Sequence, residues 1–437
     1  MRRSGPVALL IASLLLGAGC TRASGSSVPT PVRTSPQSAF VVAPGDTTAA
    51  QARAALCEAP PDSGRHPVGA GSPSPAVASV APTVEAARGH TFLRPVSVEA
   101  VTPRQLDERL LALFDASFPS AFYERRSRAW AAMDVIPDDY DLRAGWRKGA
   151  TQAIVGFYDA TAEALVYQGG SGQLDLDARF ALAHELTHAL DDQHFDLLQL
   201  EAPDRRCLDD EALAERGLTE GSAQYNAAKV LTTYLGQPEQ LDEVVSNLAT
   251  KPPIAVGDTP ILVELGYFPY RDGMLFVHAM VERGGVSAFD RAFRNPPVSS
   301  EQIMHPEKYP SDRPRPVEVE DLGPVLGPDW HDLDVMEVGE AFLRAMLNLR
   351  TFPSEADRAA AGWDGGIYRA WTDGDHVAVV LRTVWDSPRE ADGFSEAIDG
   401  WVLGMAAAVF TDGEHVDVLF ASDDGTLDAL QKATEPA

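Results

Sequence analysis

The spacing of apolar and polar positions changes several times along the chain, and each change marks an element. After Pro103 the run QLDERLLALFDASF puts Leu106, Leu110, Leu113 and Phe114 on one stripe at helical spacing, and further helices follow. From residue 151, TQAIVGFYDATAEALVYQG instead holds two β-prone runs either side of DATAE, the layout of a hairpin. Directly behind it, ARFALAHELTHALDDQH carries Phe180, Ala181, Ala183, Leu186, Ala189 and Leu190 at helical spacing, unbroken by Gly or Pro. DDEALAERGLTEGSAQYNAAKVLTTYL reads as one long helix crossed by glycines, and YRDGMLFVHAMVERGG as a helix capped by its glycine pair.

NPPVSSEQIMHPEKYPSDRPRP is expected to be loop, and 335–349 a helix with Met336, Phe342, Met346 and Leu347 on its apolar side. Beyond it, IYRAWTDGDHVAVVLRTVW and MAAAVFTDGEHVDVLFAS are hairpins with Asp-Gly turns, each followed by a helix. The pattern predicts an α+β protein: a predominantly helical domain over 91–350 with a small N-terminal hairpin, then a C-terminal α+β module over 360–437.

Composition adds to this picture at the N-terminus. Residues 1–20 place two arginines before a short apolar run, Val7 to Leu16, too short to span a bilayer and laid out as an export signal. The end of that run, LGAGC, looks like a bacterial lipobox, which implies that Cys20 is lipidated and anchors an exported, cell-envelope protein to a membrane. Gly17 stands in it where Leu is commonest. Residues 21–90 are rich in Pro, Ser, Ala and Gly, so a flexible tether is expected there. Cys57 and Cys207 then remain as an even pair, a candidate disulfide in an oxidising compartment. The net charge of -28 argues against nucleic acid as a partner, because no general basic field attracts phosphate.

The candidate chemistry lies in His184-Glu185-Leu186-Thr187-His188, an HExxH motif. Residues four apart on a helix are about 40° apart and about 6 Å along the axis, so both imidazoles share a face and can share Zn²⁺. Glu185 stands about 100° from His184, beside such an ion, where its carboxylate can take a proton from water. A third ligand is needed. His194 has metzincin-like spacing, but Asp191 replaces the glycine of that motif, and a continuous helix turns His194 about 240° away from His188. Glu220, followed by the small residues Gly221, Ser222 and Ala223 that permit close helix approach, is the preferred ligand; Glu211, Glu215 and Asp191 are alternatives. Asp191 shares the histidine face one turn on, either hydrogen-bonded to a ligand or solvated. For a group that stabilises a developing oxyanion, His305, Tyr309, Tyr270 and Tyr225 are available, and His305 and Tyr270 are preferred because both stand in loop-like sequence.

The pairing of HExxH with a downstream helical Glu resembles the gluzincin metallopeptidases. Gln224 stands where those enzymes often carry an Asp. GFYD (156–159), HELTHALDDQHF (184–195), TEGSA (219–223) and SSEQIMHPEKY (299–309) together look like a group of exported bacterial HExxH proteins of the peptidase MA-like kind, over about residues 100–345. GWDGGIYRAW and TVWDS extend that resemblance into the C-terminal module. The resemblance implies a zincin-like fold and a zinc-dependent hydrolase of peptides or proteins. The alternative is a non-catalytic surface lipoprotein in which a metal only braces helices and the C-terminal module binds a partner.

Overall fold

The computed structural model describes residues 47–59, 64–68, 74–149, 156–168, 174–200, 202–250 and 259–434. Cys20 and the lipobox lie outside them. The architecture is α+β, built around two sheets. The smaller has three strands, β1 (Ser97–Val101), β2 (Gly156–Asp159) and β3 (Ala164–Gln168), in the order β1-β3-β2. β2 and β3 are the expected antiparallel hairpin, with Gly156 opposite Tyr167, and β1, absent from the sequence reading, adds in parallel on the far side of β3.

Against this sheet lies the motif helix, Leu176–Phe195. Its Leu182, Ala183, Leu186 and Leu190 pack with Leu165 of β3, with Ala227 and Val230 of a second helix, and with Val80 and Val84 of a third. The second is the glutamate helix, Asp209–Tyr234, continuous through its glycines. The third, Pro75–Arg88, corrects the expectation of a tether over 21–90, as does Ala49–Leu56. Both segments bury apolar side chains, among them Ala49, Ala52, Val80 and Val84. Pro82, inside Pro75–Arg88, obscured the helical spacing of the apolar positions around it.

The long helix, Pro260–Arg294, begins ten residues before Tyr270 and runs through the glycine pair, where Gly284 and Gly285 leave helical geometry and make a kink rather than an end. It crosses the glutamate helix at very short range. A Cβ on Gly273 would stand 2.0 Å from the Gly217 carbonyl oxygen, and one on Gly221 would stand 2.2 Å from the Gly273 carbonyl group. Glycine is therefore obligatory at the crossing, and the small residues after Glu220 serve this contact as well as the one with the motif helix.

The larger sheet comprises β4 (His331–Glu337), β5 (Trp363–Thr372), β6 (Val377–Trp385), β7 (Ala407–Asp412) and β8 (His415–Ala421), all antiparallel, in the order β4-β5-β6-β8-β7. The expected hairpins and their helices, Pro388–Trp401 and Asp424–Thr434, are present. Residues 335–349 divide into the end of β4 and the helix Glu340–Asn348, so the sheet starts at His331 rather than near residue 360. Along β6, Val379 and Leu381 face one core while Ala378 and Val380 face another. Both faces are covered, which is why VAVVL reads as continuously apolar. The first of these cores also takes in Trp130, Ile261 and Phe342, so the sheet and the helices beside it share one interior.

Cys57 and Cys207 form a disulfide with Cα atoms 5.8 Å apart, tying the end of Ala49–Leu56 to the loop before the glutamate helix. Deeper ties come from Arg88. Its Nε donates to Asp191 of the motif helix at 2.7 Å and its Nη1 to Asp290 of the long helix at 2.9 Å, while its guanidinium lies 3.9 Å from the centroid of the Phe289 ring. Asp191 also accepts from Ser222 Oγ, two residues beyond Glu220. One fully buried cation thus joins three helices. Replacing it, as in Arg88→Met, leaves the buried Asp191 without a counter-charge and Asp290 to His90 and the more distant Arg294, and is expected to destabilise the fold by about 3–5 kcal/mol. Urea unfolding checks this; a loss under about 1 kcal/mol would show the pair to be dispensable.

Candidate metal centre

The motif helix sends Leu182, Leu186 and Leu190 into the core, and that orientation turns His184 and His188 to the opposite side. There they meet Glu220. The Nε2 atoms of His184 and His188 are 3.2 Å apart, and Glu220 Oε2 lies 3.1 Å from the first and 3.4 Å from the second. Three donors about 2.05 Å from a tetrahedral ion would be separated by about 3.3 Å, so the triangle already has the edge lengths of a metal face. Among the described residues this is the group of His, Cys, Asp and Glu side chains close enough to hold a metal ion. Two imidazoles and a carboxylate are the donor set of zinc hydrolases, and other first-row divalent ions accept it too. The side chains retain 11%, 14% and 21% of their exposure, which leaves the centre open on one side.

The electrostatics agree with a cation site. Burial disfavours the charged form of His188, but Glu220, reinforced by Glu185 and Asp191, outweighs it and raises the imidazole to about 9. Burial likewise opposes a charged Glu220, yet the two histidines hold its carboxyl well below the usual range. In the metal-free protein a proton therefore sits where the cation would.

Glu185 flanks the triangle. Its Oε2 accepts the backbone N–H of Tyr158 in β2 at 2.8 Å, so the hairpin fixes the carboxylate. Burial raises its pKa; the neighbouring histidines and the Tyr158 amide oppose this, while Glu220 adds to it. Tyr158 is also held from its other end, its hydroxyl donating to Asp192 at 2.8 Å, and Asp192 takes a two-pronged ion pair from Arg65.

Tyr270, from the turn of the long helix preceding Gly273, stacks on His184 with ring centroids 6.0 Å apart and hydrogen-bonds Glu220. Burial first, then the Glu220 and Glu185 charges, hold its hydroxyl protonated far above the usual tyrosine range. It stands on a helix rather than the expected loop. His305 is elsewhere: its Nε2 is 2.9 Å from Glu340 Oε1 and its Nδ1 3.7 Å from Glu307, neither of them a site residue. Tyr309 donates to the Asn295 carbonyl and Tyr225 packs against His278.

The other proposed ligands are likewise engaged away from the triangle. His194 lies 2.9 Å from the Thr91 carbonyl oxygen and stacks on His90, as its position around the helix required. Glu211 faces Arg206. Glu215 is buried and, with Glu211 adding to the effect, raised to about 8. Asp191 is neither solvated nor bonded to a ligand, but buried against Arg88 and Ser222. Sequence reasoning passed over Arg88, Arg65, the Tyr158 amide and the Gly217–Gly273 crossing; the four-residue spacing of Gly217 and Gly221 was the visible trace of the last.

A family model described as "Domain of unknown function (DUF8575)" matches residues 330–431, the segment that carries β4 to β8. No curated protein and no solved structure matches the chain. No helix among the described residues is long and apolar enough to cross a membrane.

Metal uptake must expel the His188 proton below its pKa of about 9, so affinity should rise about tenfold per pH unit between pH 7 and 9. Calorimetry in buffers of different ionisation enthalpy should register about one proton released per ion at pH 7. Glu220→Gln should abolish high-affinity binding while His194→Ala leaves it within about twofold; the reverse order would exclude this centre.

Proposed function

We propose that the protein is a metal-dependent peptidase of the gluzincin kind, with His184, His188 and Glu220 holding a zinc ion and Glu185 acting as general base. The observation that carries this reading is the triangle of donor atoms with edges of 3.1–3.4 Å beside a hydrogen-bonded glutamate. Zinc supplies Lewis acidity at such a centre, acidifying water and polarising a carbonyl group.

The chain's own residues have distinct tasks. Glu185, its basicity increased by burial, takes a proton from the attacking water and returns it to the leaving amine. The Tyr158 amide keeps the carboxylate aimed during both transfers. Tyr270 keeps its proton at any physiological pH, so its hydroxyl is a donor for negative charge developing on the carbonyl oxygen. β2 lies at the edge of its sheet, where an extended peptide can add as a further strand. Export and a lipid anchor at Cys20 would place this activity at the cell envelope.

Glu185→Gln is expected to lower peptide cleavage by about 10²–10⁴-fold with metal content unchanged, and Tyr270→Phe by about 10–10³-fold, mainly in kcat. Metal analysis and a peptide-library digest on each variant check both values. Bound metal with no cleavage that depends on Glu185 would overturn the peptidase reading and leave a metal-braced surface protein.

A further inference from the structure

Arg216 precedes Glu220 by one helical turn, so it shares that face about 6 Å along the axis. The parallel crossing of the two helices, with Gly273 against Gly217 and Tyr225 against His278, brings Tyr270 next to this stretch. Tyr270 accordingly feels the Arg216 guanidinium as well as the carboxylates of Glu220 and Glu185. Arg216 also acts on Tyr123 of the helix Ser120–Ala132 and pairs with Asp204 at 3.4 Å, with 51% and 48% of the two side chains exposed. A contact so solvated is weak and exchangeable.

Charge then decides what such an arginine does. Glu185 and Glu220 bring two negative charges to the centre, which a divalent cation balances, so an incoming carboxylate competes with the exposed Asp204 for the Arg216 guanidinium. A guanidinium takes a carboxylate in a two-pronged geometry and with more directionality than an ammonium. An extended peptide covers about 6–7 Å in two residues, the distance from Glu220 to Arg216 along the helix.

We propose that Arg216 is a specificity-determining anion subsite that selects peptides with a carboxylate within about two residues of the scissile bond. The inference rests on the peptidase reading above, and the carboxylate belongs either to an acidic side chain or to a free C-terminus.

Binding is read by fluorescence anisotropy on the full chain, zinc-loaded and carrying Glu185→Gln so that peptides stay intact. Three labelled peptides serve as probes: one with an internal Glu and an amidated end, its Gln twin, and the Gln twin with a free C-terminus. At least one carboxylate peptide should bind about tenfold more tightly than the amidated Gln peptide, with the advantage removed by Arg216→Gln, partly kept by Arg216→Lys and reduced by salt. Whichever carboxylate peptide gains identifies the source. Equal binding of all three, or an advantage that survives Arg216→Gln, overturns the subsite. Cleavage by the protein with Glu185 intact is scored separately: an Arg216-dependent preference without cleavage sustains the subsite and removes the hydrolase, and cleavage without the preference does the opposite.

Discussion

For His184, His188 and Glu220 to share a metal ion, three donor atoms from two helices would have to be held within a few tenths of an ångström, and the contacts around them suit that requirement. A single helix fixes His184 and His188 by its own geometry, but Glu220 arrives on another element, and its position is only as good as the contact between the two. That contact is not made by apolar packing alone. Asp191 reaches from the motif helix to Ser222 on the glutamate helix, and Arg88 holds Asp191 while reaching the long helix at Asp290. The long helix in turn presses its Gly273 into the gap between Gly217 and Gly221. A larger side chain at Gly221 or Gly273 would move Glu220 and Tyr270 together, because both stand within one turn of the crossing.

This explains what could and could not be read in the sequence. The HExxH spacing encodes its own geometry, since a helix converts a four-residue interval into a shared face; the hairpins and the helix carrying Glu220 were equally local and equally legible. Glu220 is preferred to His194 as the third candidate for its small neighbours and helical setting, and it is Glu220 that lies beside the two imidazoles, His194 being turned away by the same periodicity that joins His184 and His188. What stayed hidden was non-local. Nothing in VEAARGH announces that Arg88 enters a core 103 residues away from its place in the chain. The last three residues of β4, Val335 to Glu337, read as the start of a helix because so short a stretch suits either state, and only pairing with β5 decides it.

The SSEQIMHPEKY stretch shows how a sequence signature can be structural. Its Ser299 caps the short helix Ser300–Met304, the Ser300 amide donates to Asp210 at 3.0 Å, and Ser300 Oγ accepts the Ala341 amide at 3.1 Å. His305 meets Glu340, and Lys308 joins Glu301 to Asp386 beyond β6. Ile303 rests against Gly217. The segment is thus a junction among the first turn of the glutamate helix, the helix Glu340–Asn348 and the larger sheet. A histidine in such a place is spent on holding elements together, which is why the loop position that made His305 attractive as a catalyst misled.

The same junction bears on the part played by the C-terminal sheet. The family match begins at residue 330, yet β4 and the helix Glu340–Asn348 are not a detached module. Leu333, Met336, Phe342 and Met346 lie in one core with Trp130 of an early helix and with Ile261 and Leu262 at the start of the long helix. Arg344 binds Asp272, the residue directly before Gly273, with both guanidinium prongs at 3.1 and 3.0 Å. The beginning of the long helix is therefore seated on the C-terminal part, and Tyr270 and Gly273 belong to that beginning. Whatever else the sheet does, it supplies the surface that sets the height of the long helix against Glu220, so the geometry of the His184–His188–Glu220 triangle depends on residues about a hundred positions downstream of it.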